Sequence, residues 1–391
     1  MHAMTGLRRL AVVAGSLSLV ATMAGCADSS EPTGGLAIVV GARSNMPAPT
    51  LDATASDALE RAVLSQSYLS IVVADGAPFE VTKGRLRADD TNKQVQDRAR
   101  EKNRQQARAA VAEAAARTPE TDLLSALDRA TRSISAASGA HTIVVVDSGL
   151  STVAPLDFTQ PGLLDADPTE LADSLKAAGE LPDLAGVDVV LQGLGDTAAP
   201  QERIGRAQRD NLVAIWQAIV EAAGAGSAQV DDAPLSGPSI VGLPGVTPVP
   251  PGTGVVCTAD TVVLAGGDVA FRPDSATFVD PTAAAETVRP IAEQMVDGQL
   301  TATITGTTAR VGDAAGQKEL SRQRARSVAD LLTSLGVPAG SMTVVGLGSD
   351  FPGYVVDHDA NGDLIPAAAA ANRKVTIQLA GATAGVNCAL A

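Results

Sequence analysis

Residues 231–254 read DDAPLSGPSIVGLPGVTPVPPGTG, and this stretch does most to limit what the chain can fold into. Proline has no N–H and a fixed φ, and glycine carries a high entropic cost in any regular element. Neither a helix nor a central strand can run through such a stretch, so it forms an extended, semi-rigid linker. A linker over 229–256 divides the chain into a block at 35–228 and a block at 257–391. With 391 residues there is enough chain for two cores. No internal repeat is visible.

The first block alternates apolar runs with helical patterns. LAIVV (36–40), LSIVVA (69–74), TIVVVD (142–147) and VDVVLQGL (187–194) are continuous rather than alternating, as expected of strands buried on both faces. Helices are expected at 56–64, within 91–135, at 168–179 with Asp167 as N-cap and Pro168 in the first turn, and at about 201–223. Strand and helix in alternation predict an α/β domain with a mostly parallel sheet flanked by helices. The charged stretch 83–108 fits a solvated helix face better than a basic groove.

The second block reads β-α-β-α-β-β. TVVLAGGDVAFRPDSATF (261–278) opens it, and a helix capped by Asp280 follows at 280–298. LTATITG (300–306) is a strand, and 317–336 is a helix closed by Gly336. MTVVGLG (342–348) and RKVTIQLAG (373–381) are strands. The order predicts an open α+β sandwich with helices on one face.

The N-terminus carries Arg8 and Arg9, then an apolar run from Leu10 to Ala24 that is short for a membrane span. Met23-Ala24-Gly25-Cys26 resembles the lipobox of bacterial lipoproteins. That resemblance implies a signal peptide over 1–25, a diacylglyceryl group (palmitate or a similar acid) on Cys26, a tether over 26–34, and a chain anchored outside the cytoplasm. An ordinary signal peptide or a short uncleaved anchor is the other reading. With Cys26 lipidated, Cys257 and Cys388 remain. In an oxidising compartment they either pair or stay as two buried thiols. A bridge would close about 130 residues, roughly 4–5 kcal/mol in the chain-entropy account. The net charge of −15 argues against a nucleic-acid partner.

On a helical wheel of 317–336, Leu320, Val328, Leu331 and Leu335 share an arc. Arg324 falls inside it, and Gln317 lies there near the N-terminus. A guanidinium among apolar residues needs a partner. That partner is an internal carboxylate, water reached by snorkelling, or a ligand carboxylate held by two hydrogen bonds. For the ligand reading, TGTTARVG (305–312) forms the pocket wall, with N–H groups and the hydroxyls of Thr307 and Thr308 as donors.

FRPDSATF (271–278), G-T-T-A-x-x-G (306–312), L-S-x-x-R-A-x-x-V-x-x-x-L (320–332), G-L-G (346–348) and N-R-K-V (372–375) together resemble the OmpA-like peptidoglycan-binding domain. The resemblance covers about 260–380 and implies the same sandwich. It also implies a diaminopimelate-bearing stem peptide of peptidoglycan as ligand. Arg324 would take a carboxylate and Asp274 would be an acidic contact. Gln317 stands where Asn is usual. Thr308 and Leu320 complete the expected site. The loop acid that pairs with the ligand ammonium falls at position 309, here Ala309. The resemblance therefore implies a membrane-to-wall tether, or a scaffold that has lost wall binding. In both, the first block binds a protein partner.

Weaker signals remain. DHDANGDLI (357–365) offers Asp357, Asp359, Asn361 and Asp363 as in a calcium loop, but the closing Glu is replaced by Ala368. An Asx-rich turn is the alternative. TPETDLLSALDRA (118–130) with TIVVVDSGLS (142–151) resembles von Willebrand type A domains. The metal motif of that family would fall at GARSN (41–45), which lacks its acid. Asp75, Asp147 and Asp196 lie near strand ends, where such sheets bind ligands. No catalytic motif selects a pair among them. No enzymatic activity, cofactor or metal is expected.

Overall fold

The apolar runs of the first block form one sheet in the computed structural model, which describes residues 33–381 apart from 253 and 259. In chain order its elements are β1 (Thr33–Val40), α1 (Ala53–Leu64), β2 (Tyr68–Val73), β3 (Phe79–Arg85), α2 (Lys93–Ala112), α3 (Leu123–Ile134) and β4 (Ser138–Val146). A two-residue hairpin follows, β5 (Thr152–Val153) with β6 (Leu156–Asp157). Then come α4 (Pro168–Ala177), β7 (Val187–Gln192), α5 (Arg206–Ala222) and β8 (Ser227–Asp231). The sheet order is β3-β2-β1-β4-β7-β8. All neighbours are parallel except β3, which runs antiparallel at the edge. Helices pack on both faces, with α3, α4 and α5 on one side and α1 and α2 on the other. The strands of the centre are buried on both faces, so the expected α/β architecture is present.

Capping follows the local sequence. Asp167 accepts from the N–H groups of Thr169 and Glu170 at the start of α4, with Pro168 in its first turn. The long helical stretch is two helices, broken between Ala112 and Leu123. β3 and β8 were not expected. β3 lies partly in the charged stretch 83–108, where an exposed edge strand shows no hydrophobic period.

The described residues of the Pro/Gly-rich segment between β8 and β9 form no helix or strand, yet the segment does not hang free. It begins within β8 and is then laid across the loops at the carboxyl ends of the strands. The Ala48 N–H donates to the Pro238 carbonyl at 3.0 Å and the Leu235 N–H to Asp196 Oδ2 at 2.7 Å. Gln201 and Val249 exchange two hydrogen bonds at 2.7 and 2.8 Å. Leu235, Val246 and Val249 are buried.

The second block holds β9 (Val255–Thr258), β10 (Thr261–Leu264), α6 (Pro281–Asp297), β11 (Thr301–Thr307), α7 (Ala314–Ser334), β12 (Met342–Gly348), α8 (Pro366–Asn372) and β13 (Val375–Ala380). Its sheet order is β12-β11-β13-β10-β9, with β11 and β12 parallel and the other pairs antiparallel. Helices α6 and α7 pack on the sheet around Val288, Ile291, Met295, Val328 and Leu332. This is the expected sandwich, extended by an edge strand and a short helix.

The described residues of both blocks belong to one unit, so the two blocks touch. Ala367 and Ala370 of α8 are buried in the core beneath α4 and α5. The Gly267 N–H donates to Asp165 Oδ1 at 3.1 Å, and Arg373 pairs with Glu170. Burial raises the Asp165 pKa, against the hydrogen bonds from Gly267 and Gln208. The expectations for Cys26, Cys388 and the segment 1–32 lie outside the described residues. Cys257 is on β9. No helix among the described residues is long and apolar enough to cross a membrane.

Candidate functional site

Two close approaches fix the site. Gly306 at the end of β11 lies against α7 so tightly that a Cβ would stand 2.0 Å from the Ser321 carbonyl oxygen. At Gly346 on β12 a Cβ would stand 2.5 Å from the Arg322 nitrogen. These glycines let the helix settle onto both strands, with Arg324 on its buried face. The buried face of α7 is Gln317, Ser321, Arg324, Ala325, Val328, Ala329 and Leu332. It is rotated from the expected arc: Leu320, Leu331 and Leu335 lie at its margin, half-buried. Small residues at 321, 325 and 329 carry the closest packing, and a hydrophobic wheel gives them little weight.

Arg324 is only 6% exposed. Its Nε–H donates to the Ser275 carbonyl at 2.9 Å, and its Cζ lies 5.4 Å from the Phe271 ring centroid. Phe271 stacks on Phe278 at 4.5 Å between centroids, so the ends of FRPDSATF meet and aim its turn at α7. The two Nη groups have no hydrogen-bond partner among the described residues, and no carboxylate there forms an ion pair with them. Burial lowers the Arg324 pKa to about 10; the Arg373 charge pushes the same way, and Asp274 opposes both. The group stays protonated near neutral pH. Asp274 is exposed, with a left-handed φ of 45°.

The loop is held from behind. The Thr308 N–H donates to the Gly348 carbonyl at 2.9 Å, while its hydroxyl is sealed from solvent with no partner. Gln317 uses both amide ends: it donates to the Gly312 carbonyl at 2.9 Å and accepts from the Ser349 hydroxyl at 2.7 Å. It positions the loop. Leu320 sits at the rim. Ala309 is buried at 2% exposure, and no acid replaces it in the loop.

Asp357 is the latch that sequence reasoning missed. Its carboxylate accepts from the Arg310 N–H at 2.8 Å, from Asn372 Nδ2 at 3.1 Å and from the Tyr354 hydroxyl, and it meets His358 Nδ1 at 2.9 Å. Burial pushes its pKa up, but these hydrogen bonds outweigh it and hold the group below the ordinary value. Asn372 also bonds the Val355 backbone in both directions. This carboxylate is engaged inside the protein, and Asp359 closes an Asx turn with the N–H groups of Asn361 and Asp363. The turn reading of 357–365 thus describes the local structure. The pairing of DHD with N-R-K-V was the available signal.

In the first block the strand-end acids are also engaged. Arg43 is fully buried and forks onto Asp147 at 2.5 and 2.8 Å, with further bonds to Ser148 and the Ala74 carbonyl. A guanidinium thus stands where the von Willebrand resemblance would need an acid and serines for a metal, so the residues present do not fit one. Asp75 accepts from three backbone N–H groups at 2.8 to 3.0 Å, and Asp196 caps the linker at Leu235. Among the described residues no cluster of His, Cys, Asp and Glu could hold a metal.

Residues 270–363 match the model of the OmpA family, so this part of the chain is an OmpA-like domain. Among solved structures, the chain is similar to the peptidoglycan-associated lipoprotein from Burkholderia pseudomallei, at 25% identity over 28% of this chain and 86% of that one, with a TM-score of 0.23. It is also similar to the cell wall anchor of the T6SS from Pseudomonas aeruginosa, at 26% identity over 32% and 86%, TM-score 0.25. The OmpA-like domain of FopA1 from Francisella tularensis matches at 20% identity over 34% and 82%, TM-score 0.24. No curated protein matches.

Proposed function

We propose that this chain is a lipid-anchored envelope protein that holds the cell wall noncovalently through Arg324. The observation that carries the reading is a buried guanidinium whose terminal nitrogens lack an internal acid, in an OmpA-like domain. A carboxylate of a diaminopimelate-bearing stem peptide would complete it with two charge-assisted hydrogen bonds. Cys26 would carry the lipid, Cys257 and Cys388 would pair, and the first block would recruit a protein partner. The strand-end acids have structural partners, which favours binding over enzymatic chemistry.

The test is sedimentation of the full chain, in detergent, with purified diaminopimelate-type wall. Arg324→Ala should reduce binding about 10–150-fold, the worth of a hydrogen bond to a charged group. Unchanged pelleting would remove Arg324 from the account.

A second reading has its own observation: the buried Ala309 leaves the loop without an acid for the ligand ammonium. Under it, the domain is a scaffold that no longer holds wall. Wild-type chain would then fail to pellet, and Ala309→Asp would restore binding. Under the first reading wild-type chain pellets and Ala309→Asp tightens it.

A further inference from the structure

The charged stretch 83–108 reads in sequence as a solvated helix face, and wall binding gives it no part. It carries nine basic and four acidic residues in a chain of net charge −15. Within it, β3 and α2 frame a cavity of about 270 Å³. Leu69, Leu86 and Ala107 form an apolar floor, and Lys83, Asn103 and Gln106 supply polar walls. Gly84 pairs with Leu69 across the ladder, so the two share one face of the sheet. A Cβ at Gly84 would meet nothing within 4 Å, and the missing side chain leaves the mouth open.

The cations along that mouth are free. Arg98, Lys102 and Gln106 follow at one-turn spacing on α2, so the two cations continue the cavity rim along the helix. Both are exposed, as is Arg87 after β3, and no carboxylate among the described residues pairs with any of the three. The acids of α2 are engaged elsewhere: Asp97 pairs with Arg100 and Glu101 with Arg104, which also pairs with Glu60 of α1. Val95, in the turn before Arg98, is 42% exposed and puts an apolar tip beside the cations.

This face lies at the end of the sheet where β1 begins. In register, Gly35 of β1 stands beside Tyr68 of β2, and Tyr68 beside Arg85 of β3. Asn103 Nδ2 donates to the Arg87 carbonyl at 3.1 Å, so α2 passes that end at its middle. The chain then climbs to the carboxyl ends, where the Ala116 N–H donates to the Ala42 carbonyl at 2.8 Å. The first half of α2, with Arg98 and Lys102, therefore overhangs the end of the sheet. Cys26 is seven residues before Thr33, so a lipid there would hold this end within about 25 Å of the bilayer surface.

We propose that this face is a membrane-surface site: the overhanging half of α2 lies on an anionic bilayer, and the cavity between β3 and α2 takes the phosphate headgroup of one anionic lipid. The inference rests on the lipid-anchor reading for its geometry and is independent of wall binding. Each basic residue close to an anionic surface is worth roughly fivefold in binding. A basic face on an otherwise acidic chain also fixes which way the first block stands on the membrane.

The experiment is hydrogen exchange of the full chain on phosphatidylcholine vesicles with and without phosphatidylglycerol, with vesicle flotation as a second readout. Anionic vesicles should slow exchange over residues 82–106, and high salt should undo the effect. Arg98→Gln combined with Lys102→Gln should weaken docking about 25-fold and erase the protection, while the variant floats on neutral vesicles as wild type does. If the chain floats on both vesicles with the same exchange over 82–106, the surface site is overturned and the lipid anchor stands. Flotation on anionic vesicles alone, lost in the double variant, would remove the anchor and keep the site. Flotation on neither overturns both. Equal protection by dissolved glycerol phosphate on neutral vesicles would assign the cavity to a soluble phosphate compound and overturn the lipid headgroup.

Discussion

Arg324 shows how one residue can be read correctly in a face that was drawn wrongly. The wheel placed it among Leu320, Val328, Leu331 and Leu335, and it is buried, but the true face runs through Ser321, Ala325 and Leu332. Burial there is set by glycines on the opposing strands, which no periodicity in the helix reports. Arg43 is the converse. GARSN was legible as a metal motif without its acid, while the fork onto Asp147 across 104 positions was not. That pair gives a residue-scale prediction. Asp147→Ala strands a buried guanidinium and should destabilise the chain by about 3–5 kcal/mol, read as a fall in denaturation midpoint. A loss under 1 kcal/mol would mean that Arg43 finds another acceptor or reaches water.

At the scale of elements, the central strands were legible because burial on both faces leaves continuous apolar runs. The edge strands β3 and β8 were not: one is charged and half-exposed, the other merges into the linker composition. The site was legible to the extent that its motifs are local. Its latch, Asp357 with Asn372, is formed by side chains meeting across 15 positions and was read as a turn or calcium loop. The contact of α7 with β11 yields the prediction here. Gly306→Ala puts a methyl 2.0 Å from a backbone oxygen, so helix and strand must separate. The variant should lose about 2–4 kcal/mol of stability together with wall binding. A stable variant with normal binding would show that this close approach is dispensable.

For the whole molecule, composition marked the linker but not what it does. Proline and glycine forecast a stretch without helix or central strand, and between β8 and β9 the described residues form neither; the attachment of that stretch to the carboxyl-end loops arises from backbone groups, which composition does not encode. Likewise, nothing in either block's sequence announced the seam at α8. The membrane half of the tether is tested at this scale. Cys26→Ser should shift the chain from the membrane fraction to the soluble fraction and abolish palmitate labelling. Retention on membranes without the cysteine would point to an uncleaved anchor.

The most direct measurement is a structure of the full chain bound to a diaminopimelate-containing stem peptide. A peptide carboxylate should lie about 2.7–2.9 Å from the Arg324 Nη groups, with the loop 308–312 in contact. A peptide bound elsewhere, with those nitrogens facing only water, would contradict it.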